Sequence, residues 1–191
     1  MKMAFFGDSY DIVKHSLLRW LGSVGPWSVH PMFTEAITPS QVSAFTRLIG
    51  VPVLTSDVLT TQTDRAAYFN AARRCTTHLF LDPDTGLRLR PTRGAKAPYY
   101  LFFDELVSIV RARPERLTLV FDQSLARGQE RPQLELKQAA LKAAGIHTVA
   151  YVSHACYFLV GLDAPSVGMA LETLLRESWL PGSRFLPMVT T

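Results

Sequence analysis

The chain has 191 residues, 48% of them hydrophobic, and a formal net charge of +4. This length suits a single α/β domain over residues 1–191 with a core of ordinary size. No stretch approaches the roughly eighteen apolar residues that a membrane span needs. Asp8 comes too early for a signal peptide. We therefore expect a cytoplasmic protein with no membrane contact.

The predicted elements of the first half follow from hydrophobic periodicity and from the glycines and prolines that interrupt it. Apolar residues recur at helical spacing in three segments, and two short apolar runs indicate strands. In chain order we expect a helix over Tyr10–Val24, a strand over Trp27–Phe33, a helix over Pro39–Leu48, a helix over Thr63–Cys75 and a buried strand over Thr77–Leu81.

The second half has a clearer pattern of alternating helices and strands. In chain order we expect a helix over Tyr99–Arg111, a strand over Arg116–Phe121, a helix over Gln133–Ala144, strands over His147–Val152 and Tyr157–Leu162, a helix over Val167–Trp179 and an irregular tail after Pro181. The apolar tail residues either pack back on the domain, which is the default expectation, or cover a partner; they are Trp179, Phe185, Leu186 and Met188. The two cysteines, Cys75 and Cys156, are expected to be buried and reduced.

This alternation predicts a three-layer α/β fold with a mostly parallel sheet and helices on both faces. The last two strands are separated by Ser153–Cys156 alone. A parallel crossover needs a dozen or more residues, so these strands must form an antiparallel hairpin at the end of the sheet. A parallel sheet finished in this way is the layout of Rossmann-like methyltransferases.

Polar residues follow the predicted strands, and in open α/β sheets ligands bind beyond the carboxyl ends of the strands. The most specific group is Asp82-Pro83-Asp84-Thr85-Gly86. Pro83 restricts the backbone of Asp82 and Gly86 permits a positive φ, so a rigid turn presents two carboxylates. The alternative is an ordinary surface turn.

Three further residues beyond strand ends are candidates, each with more than one interpretation. Asp122 could bind a metal, orient a base or cap its own loop. Arg127 could hold a phosphate or pair with Asp122. His154, in the hairpin turn, is either an acid–base group or a solvated turn residue.

A basic segment, which we define as Arg88, Arg90, Arg93 and Lys96, follows the Asp-Pro turn. It is either a phosphate-binding loop or a solvated one. Near the N-terminus, Asp8 and Ser9 suit the cap of a helix. That cap does not explain why Lys14 and His15 stand next to each other on an otherwise apolar helix.

Residues 6–18, Phe-Gly-Asp-Ser-Tyr-Asp-Ile-Val-Lys-His-Ser-Leu-Leu, resemble the start of the large-subunit ribosomal RNA adenine-N6 methyltransferases of the RlmJ type. That family has Ala-Gly-Asn-x-Ala-Asp-Val-x-Lys-His before its first helix and Asp-Pro-Pro-Tyr or Asp-Pro-Pro-Phe after a buried strand. Asp82-Pro83-Asp84-Thr85 stands in the second place. The resemblance spans residues 5–25 and 77–162. The chain also resembles uncharacterised bacterial proteins with Asp-Pro-Asp-Asn/Thr-Gly, which imply no activity.

The resemblance implies a methyltransferase fold, with S-adenosylmethionine bound near Met32–Glu35 by Phe33, Thr34 and Asp82. Asp82 would accept a hydrogen bond from the target amine, assisted by Lys14, Asp122 and His154. A nucleic-acid substrate would meet Asp84, Thr85, Arg88, Arg90 and Arg127. The sequence departs from the family at three points. Asp84 replaces the second proline, Thr85 replaces the stacking aromatic, and no glycine-rich loop follows the first strand.

These departures support two other hypotheses. One is a metal-dependent phosphodiesterase or nuclease that uses Asp82, Asp84 and Asp122, because two-metal phosphoryl chemistry needs carboxylates that converge on shared ions. The other is a non-catalytic binding protein that kept the fold, because function lies in the site and not in the fold.

Overall fold

A six-stranded mixed sheet forms the centre of the computed structural model, which describes residues 3–126 and 128–187. A second sheet of two short parallel strands lies beside it. The strands in chain order are β1 Trp27–His30, β2 His78–Leu81, β3 Gly86–Arg88, β4 Tyr100–Phe102, β5 Thr118–Asp122, β6 His147–Val152, β7 Cys156–Gly161 and β8 Phe185–Pro187. Strands β3 and β4 form the small sheet.

The large sheet has the order β1-β2-β5-β7-β6-β8. Strands β1, β2 and β5 pair in parallel, whereas β7 is antiparallel to both β5 and β6. Four of the six strands, β1, β2, β5 and β6, therefore run in the same direction, as expected for a mostly parallel α/β sheet. The β6–β7 hairpin is also confirmed, because a short turn can only join antiparallel neighbours.

The helices in chain order are α1 Ser9–Trp20, α2 Pro39–Ile49, α3 Arg65–Tyr68, α4 Asn70–Arg74, α5 Phe103–Arg111, α6 Glu130–Ala143 and α7 Ala164–Ser178. Within the described residues, none of them has both the length and the apolar run needed to cross a membrane. Helix α1 begins where Asp8 caps the backbone N–H groups of Tyr10 and Asp11, as the sequence indicated.

The helices cover both faces of the sheet and produce two hydrophobic cores. Successive strand residues point to opposite faces. Phe80 and Phe121 therefore pack with α1, α2 and α7, whereas Leu81 and Val120 pack with α3 to α6. The predicted three layers of the α/β fold are present. Cys75 and Cys156 are buried and free, as expected.

Three predicted elements were wrong in part. The helix over Thr63–Cys75 is broken at Phe69, whose ring is buried against Tyr68 and His30. The helix expected from Tyr99 begins only at Phe103, because Tyr100–Phe102 pairs with Gly86–Arg88 as a strand.

The third prediction that was wrong in part concerns the tail after Pro181. Phe185–Pro187 is not irregular but forms β8 on the outer edge of β6, so the hairpin is not the end of the sheet. Phe185 packs on Tyr151, with ring centroids 5.2 Å apart, as the packing-back prediction required. Trp179 contradicts that prediction, since 91% of it is exposed. Met188 lies outside the described residues.

Gly86 joins the turn after β2 to strand β3 and touches the end of β5. Its φ is +140°, and a Cβ there would overlap the Asp122 side chain and lie 3.0 Å from the Asp122 Cα. We expect Gly86→Ala to lower the free energy of unfolding by about 3 kcal/mol, measured by urea denaturation. Gly94→Ala is the control, because Gly94 has φ +78° but open space around it, and should cost about 1 kcal/mol. Equal losses would show that β3 does not press on β5.

Candidate functional site

A pocket of about 410 Å³ lies at the carboxyl ends of β2 and β5, where the first turn of α1 approaches the sheet. Its lining combines carboxylates, aromatic rings, one lysine and the Asp-Pro turn. The lining residues are Phe5, Asp8, Tyr10, Asp11, Lys14, Asp82, Pro83, Asp84, Thr85, Tyr99, Phe121 and Gln123. The edge of the sheet that the sequence indicated as a site therefore does carry a concave, polar pocket.

The centre of the pocket is an ion triad, which we define as Asp11, Lys14 and Asp82. The Lys14 Nζ lies 3.0 Å from Asp11 Oδ1, 3.0 Å from Asp82 Oδ1 and 3.1 Å from Asp82 Oδ2. All three side chains are buried. One ammonium group therefore bridges two carboxylates that come from segments far apart in the sequence.

Helix α1 holds the triad in place through its first turn. Asp8 caps the helix, and Asp11 Oδ2 accepts a hydrogen bond from the Gly7 backbone N–H at 2.9 Å. The positive end of the helix dipole stabilises both carboxylates. Lys14 lies one turn further along and reaches Asp82.

His15, the residue after Lys14, lies against the end of helix α2. Gly50, at the end of α2, has no side chain, and a Cβ there would lie 3.3 Å from the His15 ring. The two neighbouring residues that the capping motif left unexplained therefore serve different contacts: Lys14 belongs to the triad and His15 to the α1–α2 packing.

Burial and ion pairing act in opposite directions on the triad. Burial raises the pKa of the Asp82 carboxyl, and the ammonium of Lys14 opposes this rise. Burial alone would lower the pKa of Lys14, but the carboxylates of Asp82 and Asp11 outweigh it and raise that pKa. Lys14 thus stays charged at neutral pH, and its charge is fully engaged by its partners.

Aromatic rings form the other wall of the pocket. The Tyr10 ring lies edge-on to Phe121 at 5.7 Å between centroids and stacks at 4.4 Å on His154. The Lys14 Nζ lies 4.6 Å from the centroid of the Phe121 ring. His154 is exposed and reaches the pocket only through Tyr10. It therefore lies at the rim and not at the centre of the predicted site.

The turn after β2 is held from two sides. The Thr85 N–H donates to the Tyr99 carbonyl at 2.8 Å, and the Gln123 N–H donates to the Thr85 carbonyl at 3.0 Å. The Gln123 side chain donates to the Asp84 carbonyl at 2.9 Å. Asp84 and Thr85, the two turn residues expected to meet a substrate, both line the pocket, and these bonds to Gln123 and Tyr99 make the turn rigid.

Asp122 points away from this pocket. Its carboxylate pairs with Lys137 of α6 and accepts hydrogen bonds from the backbone and hydroxyl of Ser124 at 2.9 Å and 2.6 Å. Because Phe121 faces the pocket, the alternation of the strand sends Asp122 to the opposite face of the sheet. The expected convergence of Asp82, Asp84 and Asp122 is therefore not formed. Among the described residues, no group of three metal-ligating side chains could hold an ion.

The loop after β1, where the resemblance places S-adenosylmethionine, is filled by its own side chains. Phe33 is buried and meets Phe45 at 5.9 Å between centroids, and Met32 is buried with φ +50°. Thr34 is half-buried, and the pocket lining includes neither Phe33 nor Thr34. His30, at the end of β1, is buried, and this burial lowers its pKa to about 4. These residues do not fit the cofactor at that place.

The four residues of the basic segment are exposed. The Arg88 guanidinium lies 4.8 Å from the centroid of the Tyr100 ring, outside the acidic pocket. The segment runs from the end of β3 to the turn before β4, and the amino ends of these two strands directly follow Thr85 and Tyr99 of the pocket lining. The basic segment and the pocket are therefore close in sequence, although none of its four cations lines the pocket. Arg127, the remaining substrate-contact prediction, lies outside the described residues.

Several lining residues were missed by the sequence analysis: Phe5, Asp11, Tyr99, Phe121 and Gln123. A signal existed for Asp11, which is three residues before Lys14 on the same helical face. Phe121 alternates with Asp122, so that only one of the two can face the pocket. Tyr99 gave no signal, because it lies in a loop fixed by tertiary contacts.

Comparisons with protein-family models, with curated proteins and with solved structures returned no match for this chain. The interpretation of the pocket therefore depends on its own geometry.

Lys14→Met tests whether the triad holds the site together. Removing the ammonium leaves two buried carboxylates without a counter-charge, which we expect to lower the free energy of unfolding by about 3 kcal/mol at pH 8. Without Lys14 the pKa of Asp82 rises further above its unfolded value. The carboxyl then keeps its proton in the folded state, so the loss should be smaller at pH 5 than at pH 8.

The control is Arg131→Met, which breaks an exposed ion pair with Glu135 and should cost less than about 1 kcal/mol at either pH. Urea denaturation of both variants at the two pH values gives the comparison. A loss for Lys14→Met that is small and independent of pH would show that the triad is not a buried charge cluster.

Proposed function

We propose that this chain is a methyltransferase-like binding protein whose acidic pocket takes a planar, amine-bearing ligand, a nucleobase. The observation that carries the proposal is the composition of the lining. Four carboxylates, Asp8, Asp11, Asp82 and Asp84, and the single ammonium of Lys14 leave a formal charge of −3 on the lining. Such a pocket attracts N–H donors and repels phosphate.

The aromatic lining supports a flat ligand. Phe5, Tyr10, Tyr99 and Phe121 border the same cavity, and bases stack on such rings irrespective of their sequence. A carboxylate accepts hydrogen bonds from the exocyclic amine of cytosine or adenine, whereas uracil presents a carbonyl in that place. The rings of Phe5, Tyr10 and Tyr99 would supply the stacking surface that Thr85 cannot provide.

Two structural observations support the methyltransferase-like part of the proposal. The two segments that carry the resemblance lie 68 residues apart, and the Lys14–Asp82 hydrogen bond brings them together at one site. Three parallel strands followed by an antiparallel hairpin agree with the same layout. This agreement supports common architecture. The filled loop after β1 is the reason for proposing binding and not methyl transfer.

The basic segment supports a nucleic-acid source for the base. Its four exposed cations lie on the connection from β3 to β4, two strands whose amino ends directly follow Thr85 and Tyr99 of the pocket lining. A base inside the pocket would leave its phosphates near this segment, where counterion release favours binding. The acidic interior and the basic rim thus suit the two parts of one nucleotide unit in a single strand.

Titration of the protein with adenosine, cytidine and uridine tests the pocket directly. We expect adenosine and cytidine to bind and uridine to bind at least about tenfold more weakly, because each lost hydrogen bond to a charged acceptor is worth roughly 1.5–3 kcal/mol.

Two matched pairs of variants locate the ligand. Phe5→Ala and Asp84→Asn should each weaken binding about tenfold. Phe6→Ala and Asp104→Asn, which lie outside the lining, should not. Equal affinity for all three nucleosides would contradict the proposal.

Isothermal titration with S-adenosylhomocysteine tests the cofactor. We expect no heat at millimolar ligand, because Met32 and Phe33 occupy the position where a glycine loop would let the cofactor approach the backbone. Binding that is weakened by Phe33→Trp and unchanged by Phe6→Ala would place the cofactor at the loop after β1. That result would restore methyl transfer as the function.

A further inference from the structure

A second pocket lies at the opposite edge of the sheet, before the amino ends of β2 and β5. It has a volume of about 460 Å³ and is formed by the turn after α4 and by the turn between α5 and β5. Four arginines border it, with a single carboxylate from Glu115; they are Arg73, Arg74, Arg113 and Arg116. The sequence analysis gave no role to any of them.

Arg113 is the unusual member of this cluster, because only 4% of it is exposed. Its Nη2 donates to the Leu117 carbonyl at 3.2 Å and to the Thr118 hydroxyl at 3.1 Å. Its Nε and Nη1 are buried and have no hydrogen-bond partner. Buried charged groups are normally paired, so two unused donors beside a cavity indicate a missing acceptor.

The surroundings of Arg113 supply no counter-charge. Within the described part of the chain, no carboxylate lies within 4 Å of Arg113 or of the three other arginines. Burial, together with the nearby charge of Arg116, lowers the pKa of Arg113 to about 10, and the group is still charged at neutral pH. His78 does not supply the missing acceptor for Arg113, because its Nδ1 already accepts a hydrogen bond from the Leu117 N–H.

Local structure accounts for only part of the cluster. Arg73 and Arg74 close α4, where arginines interact favourably with the last carbonyls of a helix. Arg73 also donates to the Ala66 carbonyl and to Asn70 Oδ1. Neither contact satisfies the two free donors of Arg113, and neither explains why Arg116 lies beside a buried cation.

We infer that this pocket is a binding site for a phosphate-type oxyanion, held by Arg113 from inside and by Arg116 and Arg74 from the rim. The planar guanidinium groups suit the paired oxygens of a phosphate, and each such bond is charge-assisted. The anion completes the hydrogen bonding of Arg113 and offsets the repulsion between Arg113 and Arg116. This site is independent of the nucleobase pocket, which lies at the other edge of the sheet.

Isothermal titration of the full chain with inorganic pyrophosphate, at ionic strength held constant with sodium chloride, tests the site. We expect saturable binding, weakened at least about tenfold by Arg116→Gln and by Arg74→Gln. Arg111→Gln is the matched control, because Arg111 ends the neighbouring helix but donates to the Ala144 carbonyl and lies outside the pocket. The site is disproved if pyrophosphate gives no heat, or if all three variants bind it equally.

Arg113→Gln is tested separately, with circular dichroism to establish that the variant folds. In a folded variant, pyrophosphate binding should be lost. If the variant does not fold, the Arg116 and Arg74 results decide.

A labelled single-stranded oligonucleotide then distinguishes two sources of the phosphate. Displacement of the oligonucleotide by pyrophosphate, with the same dependence on Arg116, identifies a phosphodiester backbone. Pyrophosphate binding that leaves the oligonucleotide unaffected identifies a free phosphorylated compound. Either result supports the oxyanion site.

Discussion

The bridge from Lys14 to Asp82 is the contact on which the pocket depends. It connects the first α-helix to the residue that follows the second strand, across a sequence separation of 68 residues. A buried ion pair contributes little net stability, because desolvation offsets most of the attraction. We expect its value to lie in specificity, because an unpaired Asp82 at this depth would be costly and a shifted α1 would leave it unpaired. The need to pair the buried Asp82 carboxylate with Lys14 therefore positions α1, which forms one wall of the pocket.

The same charge requirement determines the character of the pocket. Asp11 and Asp8 are stabilised by the amino end of α1, and the ammonium of Lys14 is paired with two carboxylates. Nothing in the described lining is left to attract an anion. A ligand that replaces water here must bring donors of its own, and a flat ligand also gains contact with the Tyr10 and Phe121 rings. The proposed preference for an amine-bearing ring follows from which charges are already paired.

The sequence predicted the turn at which the pocket lies, because a buried strand that ends in Asp-Pro must release its backbone into a turn. Alternation along β5 would also have separated Phe121 from Asp122, since neighbours on a strand face opposite ways. The assignment of Asp122 to the pocket, made only from its position at a strand end, overlooked that rule. The filled loop after β1 had a signal as well, because Met32 and Phe33 are apolar where a cofactor loop needs glycine.

Other features had no local signal. Strands β3 and β4 have three residues each, too few for any periodicity, and they form because the Asp-Pro turn and the loop before α5 meet in space. Tyr99 enters the pocket only through that pairing. Arg65 supports the same region, since it pairs with Glu105 and donates to the Ala97 and Tyr100 carbonyls. Such long-range contacts are decided by tertiary packing and not by the residues beside them.

The two pockets lie at opposite ends of the same strands, and this arrangement limits what they can share. Strand β2 has four residues, so the acidic pocket at Asp82 and the arginine pocket at Cys75 are separated by at least about 13 Å of strand. The core of the sheet lies between them. One mononucleotide cannot place its base in the first pocket and its phosphate in the second. If both proposals hold, either the arginines bind a separate phosphorylated compound, or a polynucleotide passes around the edge of the domain and contacts both pockets.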